Sequence, residues 1–323
     1  MRALVLYKGA KALFLKEVLI KEPSLYQVRI KVSACGLCLT DKHIVEEEIP
    51  LKKTPLIPGH QIVGRVDQVG KNVTSCKVGD LVGVTWLSRS CGECLYCKEG
   101  KENLCEKAQF TGYHVDGGFA EYVIAEEDFI ISLPETDDEA SLAPLLCAGV
   151  IGYRSYKLSG IKPGQKLGLI GFGGSAHLVI QLAIFHKCEV YVFTRSIEHK
   201  KLAVALGALE YRNDLKLDAV ILFAPNGDLV KEGLDLLKRG GKLVINAIHM
   251  SDIPKMAFET IYYEKIIQTA ANVTREDAKE FIDLATKIPI KAKVLKRGFE
   301  DANSSIEELK NSQVNGSIVF IPH

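Results

Sequence analysis

Four cysteines crowd into one loop of this 323-residue chain, where Cys91, Cys94, Cys97 and Cys105 spell C-x2-C-x2-C-x7-C. Four thiolates this close can close a tetrahedron around zinc with no position left open, which is the ligand set of a structural site. Incidental cysteines or a redox pair are the bland alternative. In a reducing compartment, clustered cysteines are more often metal ligands than disulfides.

A second set of candidates is scattered. GLCLTDKH holds Cys38, Thr40, Asp41 and His43, PGHQIVG holds His60 and Gln61, and PLLCAG holds Cys147. A catalytic zinc takes three protein ligands and keeps one position open, and Cys2His is one known set. Spacing alone does not join residues so far apart. Taken singly, His60 reads as a loop histidine and Cys147 as a small buried hydrophobe. Thr40 reads as a helix cap and His43 as an exposed side chain. A third candidate is Gly171-Phe172-Gly173-Gly174-Ser175-Ala176. It fits G-x-G-x-x-A between an apolar strand and an apolar helix pattern. Its glycines permit a tight turn and let backbone amides approach a pyrophosphate at a helix N-terminus.

Two different textures must position these groups. Over roughly the first 145 residues, short strand patterns alternate with glycine-rich turns, as at Val28, Ile30 and Val32 and over 62–69, 80–84 and 119–124. That reads as a compact, mostly β domain. From about Leu142 the pattern changes to buried strands at 166–170, 190–193, 219–223, 243–246 and 266–270. Helical segments such as 178–185, 198–206 and 229–237 lie between them. Such alternation implies right-handed crossovers and a parallel sheet covered on both faces, a doubly wound nucleotide-binding architecture. A helix over 276–286 and short strands then return to the first domain. The expected division is 1–148 with 273–323 for the β domain and 149–272 for the dinucleotide-binding domain.

In the order GLCLTD, PGHQIVG, four-cysteine loop, LLCAG, GFGGSA, the chain resembles the zinc-containing medium-chain alcohol dehydrogenases over essentially its whole length. The stretches PGHQIVGRV, ENLCEKAQFTGYHVDGGFAEY, APLLCAGVIGYRS and IHMSDIP most resemble the propanol-preferring bacterial and archaeal subgroup. The resemblance implies an α/β fold with a partly open, GroES-like β-barrel catalytic domain and a Rossmann cofactor domain. It implies two zinc ions per chain, the catalytic one held by Cys38, His60 and Cys147. The alcohol would bind at the open position, lose its proton more easily there and then give up a hydride. Thr40 would take that proton and His43 pass it on through the cofactor ribose. Trp86 matches a place where a bulky residue lines the alcohol pocket, against the plain alternative of a core aromatic.

Some positions need separate weighing. Cys35 precedes Cys38 by three, so spacing admits either as the ligand; the motif match selects Cys38 and leaves Cys35, like Cys76 and Cys188, as packing. Similar enzymes carry Glu after the zinc-binding histidine, whereas this chain has Gln61. A neutral amide is a poor zinc ligand, which strengthens Cys147 and leaves Gln61 an orienting role. NAD-specific sites end the second strand with an acid about 20 residues past the glycines. Here that place holds Thr194, Arg195 and Ser196, which favours NADP over NAD.

The sequence also bounds the partners. Net charge is +1, with 47% hydrophobic and 25% charged residues, which invites neither nucleic acid nor an anionic membrane. The N-terminal stretch has charges every few residues, and no run approaches the roughly 18 apolar residues of a membrane span. The expectation is a cytoplasmic enzyme acting on a small alcohol or aldehyde; family likeness adds a homodimer or homotetramer. Two rivals stand beside it. A zinc-free quinone or enone reductase of the same superfamily is disfavoured because all seven proposed ligands are present. A non-catalytic, zinc-stabilised nucleotide sensor is disfavoured by intact Cys38, Thr40, His60 and Cys147.

Overall fold

A computed structural model describes residues 1–288, 290–311 and 313–322. The chain divides into two compact units. One comprises Met1–Cys147, Asn272–Asp283 and Ala292–His323, and the other Ala148–Ala271 with Leu284–Lys291.

The first unit is organised around the strand Gln27–Gly36. Val28, Ile30, Val32 and Ala34 are all fully buried, because the period of two sends alternate side chains to one face. One edge of this strand pairs antiparallel with Gln61–Val69, which pairs with Leu81–Val84, which pairs with Ile130–Ser132. The other edge takes Tyr122–Glu126 along its first half and Ser317–Phe320 at its end, opposite Cys35 and Gly36. Val294–Arg297 lies parallel to that last strand and ends the seven-stranded sheet. Its core gathers Ile30, Ile62, Phe119 and Phe320, the two phenylalanine rings meeting edge to face at 5.1 Å. The N-terminal hairpin Arg2–Leu6 with Leu13–Glu17 is absent from the sequence reading, since Phe14 and Leu15, on opposite faces of its second strand, are both exposed and blur the alternation.

The second unit is a five-stranded sheet, parallel throughout. Its order is Glu189–Phe193, Lys166–Ile170, Leu217–Leu222, Leu237–Ile245, Ile266–Thr269. A parallel bridge from Tyr191 to Leu209 adds one more residue of pairing outside Glu189–Phe193. Chain order therefore reverses direction at Lys166–Ile170, and in open α/β sheets ligands bind beyond the C-terminal ends of the strands at such a switch point. One segment differs from the expected division. Leu284–Lys291 groups with this unit rather than with the β domain. Ile288 is buried there, Leu284 and Ile290 pack on the same cluster as Leu167 and Ile180, and Gln181 exchanges hydrogen bonds with the Lys291 backbone at 3.0 and 3.2 Å. No helix among the described residues is long and apolar enough to cross a membrane.

Candidate functional site

The register of the first sheet brings the scattered motifs together. Gly36 pairs with Gln61 and Cys35 with Ile62, so the chain leaving one strand toward Cys38 runs beside the chain entering the next from His60. Cys38 then starts the helix Leu39–Val45. Its backbone is extended, its sulfur accepts the Thr40 amide at 3.3 Å, and the Asp41 carboxylate accepts the Cys38 amide at 3.0 Å. This is a reciprocal capping box built on a cysteine. Cys38 is therefore the cap, and Thr40 sits in the first turn, 9% exposed, with its hydroxyl free of capping work.

Gly59 sets the histidine. Its φ is +95°, and a Cβ there would lie 2.5 Å from the Phe119 ring, so only glycine lets the chain turn His60 inward. The imidazole is 1% exposed. Its Nε2 lies 3.2 Å from the Cys38 sulfur and its Nδ1 lies 3.2 Å from Asp41 Oδ1. The same carboxylate oxygen accepts the Gly59 amide at 3.2 Å. One nitrogen thus faces the candidate ligand set while a fully buried carboxylate lies against the other at ion-pair distance, a placement that favours this ring orientation. Cys147 arrives at the end of the 3-10 stretch Glu139–Leu146, anchored by the fully buried Leu146.

The Cys38 sulfur, the Cys147 sulfur and a His60 nitrogen all lie within 4.8 Å of one another. Tetrahedral zinc with bonds of about 2.3 Å to sulfur and 2.0 Å to nitrogen separates such a pair by about 3.5 Å, close to the 3.2 Å between Cys38 and His60. The electrostatics also suit a cation. A hydrogen bond from Cys147 holds the Cys38 thiol well below its ordinary range, and the same bond with burial pushes Cys147 up. Burial works to lower the His60 pKa, yet the negative charge of Cys38 and Asp41 overcomes it and raises the value. A buried imidazole that prefers to be positive marks a strongly negative pocket.

The remaining candidates of this unit fall into place around these three. Cys35 is fully buried in the core and stands outside the ligand group. Cys76 is half-buried. Gln61 is buried with its amide against Gly36. Trp86 is a core residue that also borders the site: it stacks on Phe110 at 5.1 Å and meets the His60 ring edge-on at 4.8 Å. His43 is half-buried, with Nδ1 bonded to the Glu48 carboxylate, so it is not the bare surface histidine its sequence context suggests. Lys42 and His43 together hold Glu48 down to about 2, which keeps a fixed negative charge beside the imidazole. Sequence reasoning assigned no role to Asp41; its signal was the three-residue spacing from Cys38, a capping-box interval.

The four-cysteine loop hangs from the short ladder of Leu87–Arg89 with Gln109–Phe110. Its sulfurs also lie within 4.8 Å of one another, with Cys91 to Cys97 at 3.9 Å and Cys94 to Cys97 at 3.5 Å. Four sulfurs around one zinc stand about 3.8 Å apart, so this set fits a closed site. The Cys94 amide donates to the Cys91 sulfur at 3.4 Å, and backbone donors lower that thiol to about 6.

In the second unit, Gly171 follows the strand Lys166–Ile170 with φ +85°, and a Cβ on it would stand 2.9 Å from the Ala224 amide. Space around Gly173 is open and the helix Ala176–Phe185 starts directly after, so a phosphate can come close to the amides. The Gly171 amide bonds to the Phe193 carbonyl at 2.9 Å. The turn therefore adjoins the end of the second strand, where Thr194, Arg195 and Ser196 follow. Thr194 Oγ1 accepts the Ser196 amide, and Ser196 caps the helix Ile197–Ala205 through the His199 amide. Arg195 is exposed. Cys188 is buried against Tyr156 in the same unit.

A cavity of about 700 Å³ elsewhere in the first unit, lined by Val5, Val18, Arg29, Asp116 and Val123 among others, contains none of these candidates. In its wall Asp116 pairs with Lys21 and Lys53, and Arg29 with Glu22 and with Asp67.

Residues 24–135 match the alcohol dehydrogenase GroES-like domain family. The chain is 39% identical to a probable alcohol dehydrogenase of Mycobacterium tuberculosis, covering 94% of this chain and 90% of that protein. It is 38% identical to an alcohol dehydrogenase of Geobacillus stearothermophilus, over 99% and 98% of the two. Among solved structures, the CAD of Helicobacter pylori complexed with NADP(H) superposes with a TM-score of 0.87 at 25% identity, over 99% of this chain and 97% of that one.

Proposed function

This chain belongs to the zinc-containing medium-chain alcohol dehydrogenase family and is an oxidoreductase of alcohols and carbonyl compounds, and we propose that it interconverts short primary alcohols and their aldehydes in the cytoplasm as a homodimer or homotetramer. The observation that carries this reading is the convergence of the half-buried Cys38 and Cys147 on the buried His60, beside Thr40. Those three residues would hold the catalytic zinc, and Cys91, Cys94, Cys97 and Cys105 a structural one. Zinc at the first set supplies a Lewis acid that makes the substrate hydroxyl easier to deprotonate. Thr40 accepts that proton as its own hydroxyl proton moves on toward His43, beside the fixed charge of Glu48. Trp86 packs the wall behind His60 and keeps water from that side of the ring. The turn Gly171–Ala176, with Gly173 and Gly174 exposing its amides, holds the pyrophosphate of the dinucleotide that exchanges the hydride.

Asp41 positions His60. Asp41→Asn keeps the shape and removes the charge facing Nδ1, so zinc affinity or kcat/KM should fall by about 10- to 100-fold. Zinc retention against a chelator and steady-state rates check this, and a variant equal to wild type on both removes Asp41 from the account.

Thr194, Arg195 and Ser196 favour NADP. A guanidinium and two hydroxyls suit a 2′-phosphate, and no carboxylate stands there to repel it. Comparing kcat/KM for NADP and NAD with one short primary alcohol tests both turnover and preference. NADP should lead, and Arg195→Asp should erase or reverse the lead. An NAD preference of about tenfold or more, some 1.4 kcal/mol the other way, contradicts the reading of these three residues.

A further inference from the structure

His177 is the second residue of the helix Ala176–Phe185, only 5% exposed. Its Nδ1 lies 3.3 Å from the Gly173 carbonyl, and its own amide donates to that carbonyl at 3.1 Å. A carbonyl only accepts, so Nδ1 carries the ring proton and donates it. Nε2 is buried with no hydrogen-bond partner among the described residues. Burial keeps the imidazole below its ordinary pKa, against the pull of the Gly173 and Gly174 carbonyls, so the ring is neutral. Burying an unpaired nitrogen is costly, and a phenylalanine would fill the same space without that cost. What the imidazole has and a phenyl ring lacks is the donor to Gly173.

That donor has a geometric consequence. In a trans peptide the carbonyl of one residue and the amide N–H of the next point in opposite directions. Fixing the Gly173 carbonyl on His177 therefore fixes the Gly174 N–H on the opposite side of that peptide, away from the helix, at a turn where the space around Gly173 is open. The His177 amide already bonds that carbonyl, and the ring donor is a second bond that narrows the freedom two adjacent glycines leave this peptide plane; a donor that already faces its anion binds it without an ordering cost. We propose that His177 is a positioning residue that locks the Gly173–Gly174 peptide so that its N–H meets the dinucleotide pyrophosphate. The inference rests on the reading of Gly171–Ala176 as the cofactor turn.

The test is the dissociation constant of the reduced dinucleotide, measured by its fluorescence with the full-length protein. His177→Phe should raise it about tenfold, the scale of one hydrogen bond. His177→Asn, whose amide nitrogen stands near the place of Nδ1, should return it to within about threefold of wild type. Without cofactor, His177→Phe should melt no lower than wild type. An unchanged dissociation constant in His177→Phe, or His177→Asn as weak as His177→Phe, overturns the role of the imidazole. Gly173→Val separates this from the underlying reading: if it binds dinucleotide as wild type does, the turn is not the cofactor site at all.

Discussion

Cys147→Ser is expected to lose at least about a thousandfold in kcat/KM while the fold survives. The Lewis-acid contribution of a catalytic metal amounts to several kcal/mol, and each 1.36 kcal/mol is a factor of ten. Serine matches cysteine in shape but stays a neutral hydroxyl at neutral pH, so the third anionic or soft ligand is gone. Cys147 is half-buried at the end of its 3-10 stretch, and the fully buried Leu146 beside it keeps the segment anchored. The loss should therefore come with one zinc fewer per chain and an unaltered circular dichroism spectrum. A serine variant within about tenfold of wild type, on the same scale, would remove Cys147 from the ligand set.

Thr40→Ala is expected to lose on the order of 100-fold or more in kcat, the usual contribution of a positioned acid–base group, with Thr40→Ser keeping most of it. The capping geometry makes this comparison clean. The bond that Thr40 gives the Cys38 sulfur through its backbone comes from the amide, at 3.3 Å, and alanine retains it. The helix Leu39–Val45 is capped by Cys38 and Asp41, so it too should persist. Alanine removes the hydroxyl, its bond to the Cys38 thiol and the γ-methyl, and serine, which lacks only the methyl, isolates what the hydroxyl does. Rates under single-turnover conditions isolate that step, and near-normal turnover in Thr40→Ala would rule out its part in proton transfer.

Much of this was legible in the sequence, for reasons that differ from site to site. The four-cysteine cluster was legible because its sulfurs are local in sequence, and local spacing survives folding. The glycine turn was legible because a strand and a helix flank it, and in the structure they are Lys166–Ile170 and Ala176–Phe185. Cys38, His60 and Cys147 were joined only by family likeness. What brings the first two together is the pairing of Gly36 with Gln61, a long-range register that no short window contains. Asp41 was hidden for the same reason: its partner His60 lies 19 residues on, reached only through the Gly59 turn. His177, just before the helical segment expected over 178–185, drew no reading, because a side chain's bond to a carbonyl one turn back leaves no mark in composition. The grouping of Leu284–Lys291 with the second unit is not visible in a short window, because it depends on Leu284, Ile288 and Ile290 meeting a distant core.

Metal analysis of the purified protein tests the central claim most directly. The two ligand groups predict two zinc ions per chain with unequal lability. The open Cys2His set should release its ion to a chelator and lose activity in proportion, while the closed four-thiolate set keeps its own. Zinc added back should restore both the second equivalent and the alcohol-dependent reduction of the cofactor. One zinc or none per chain in a fully active preparation would contradict the account.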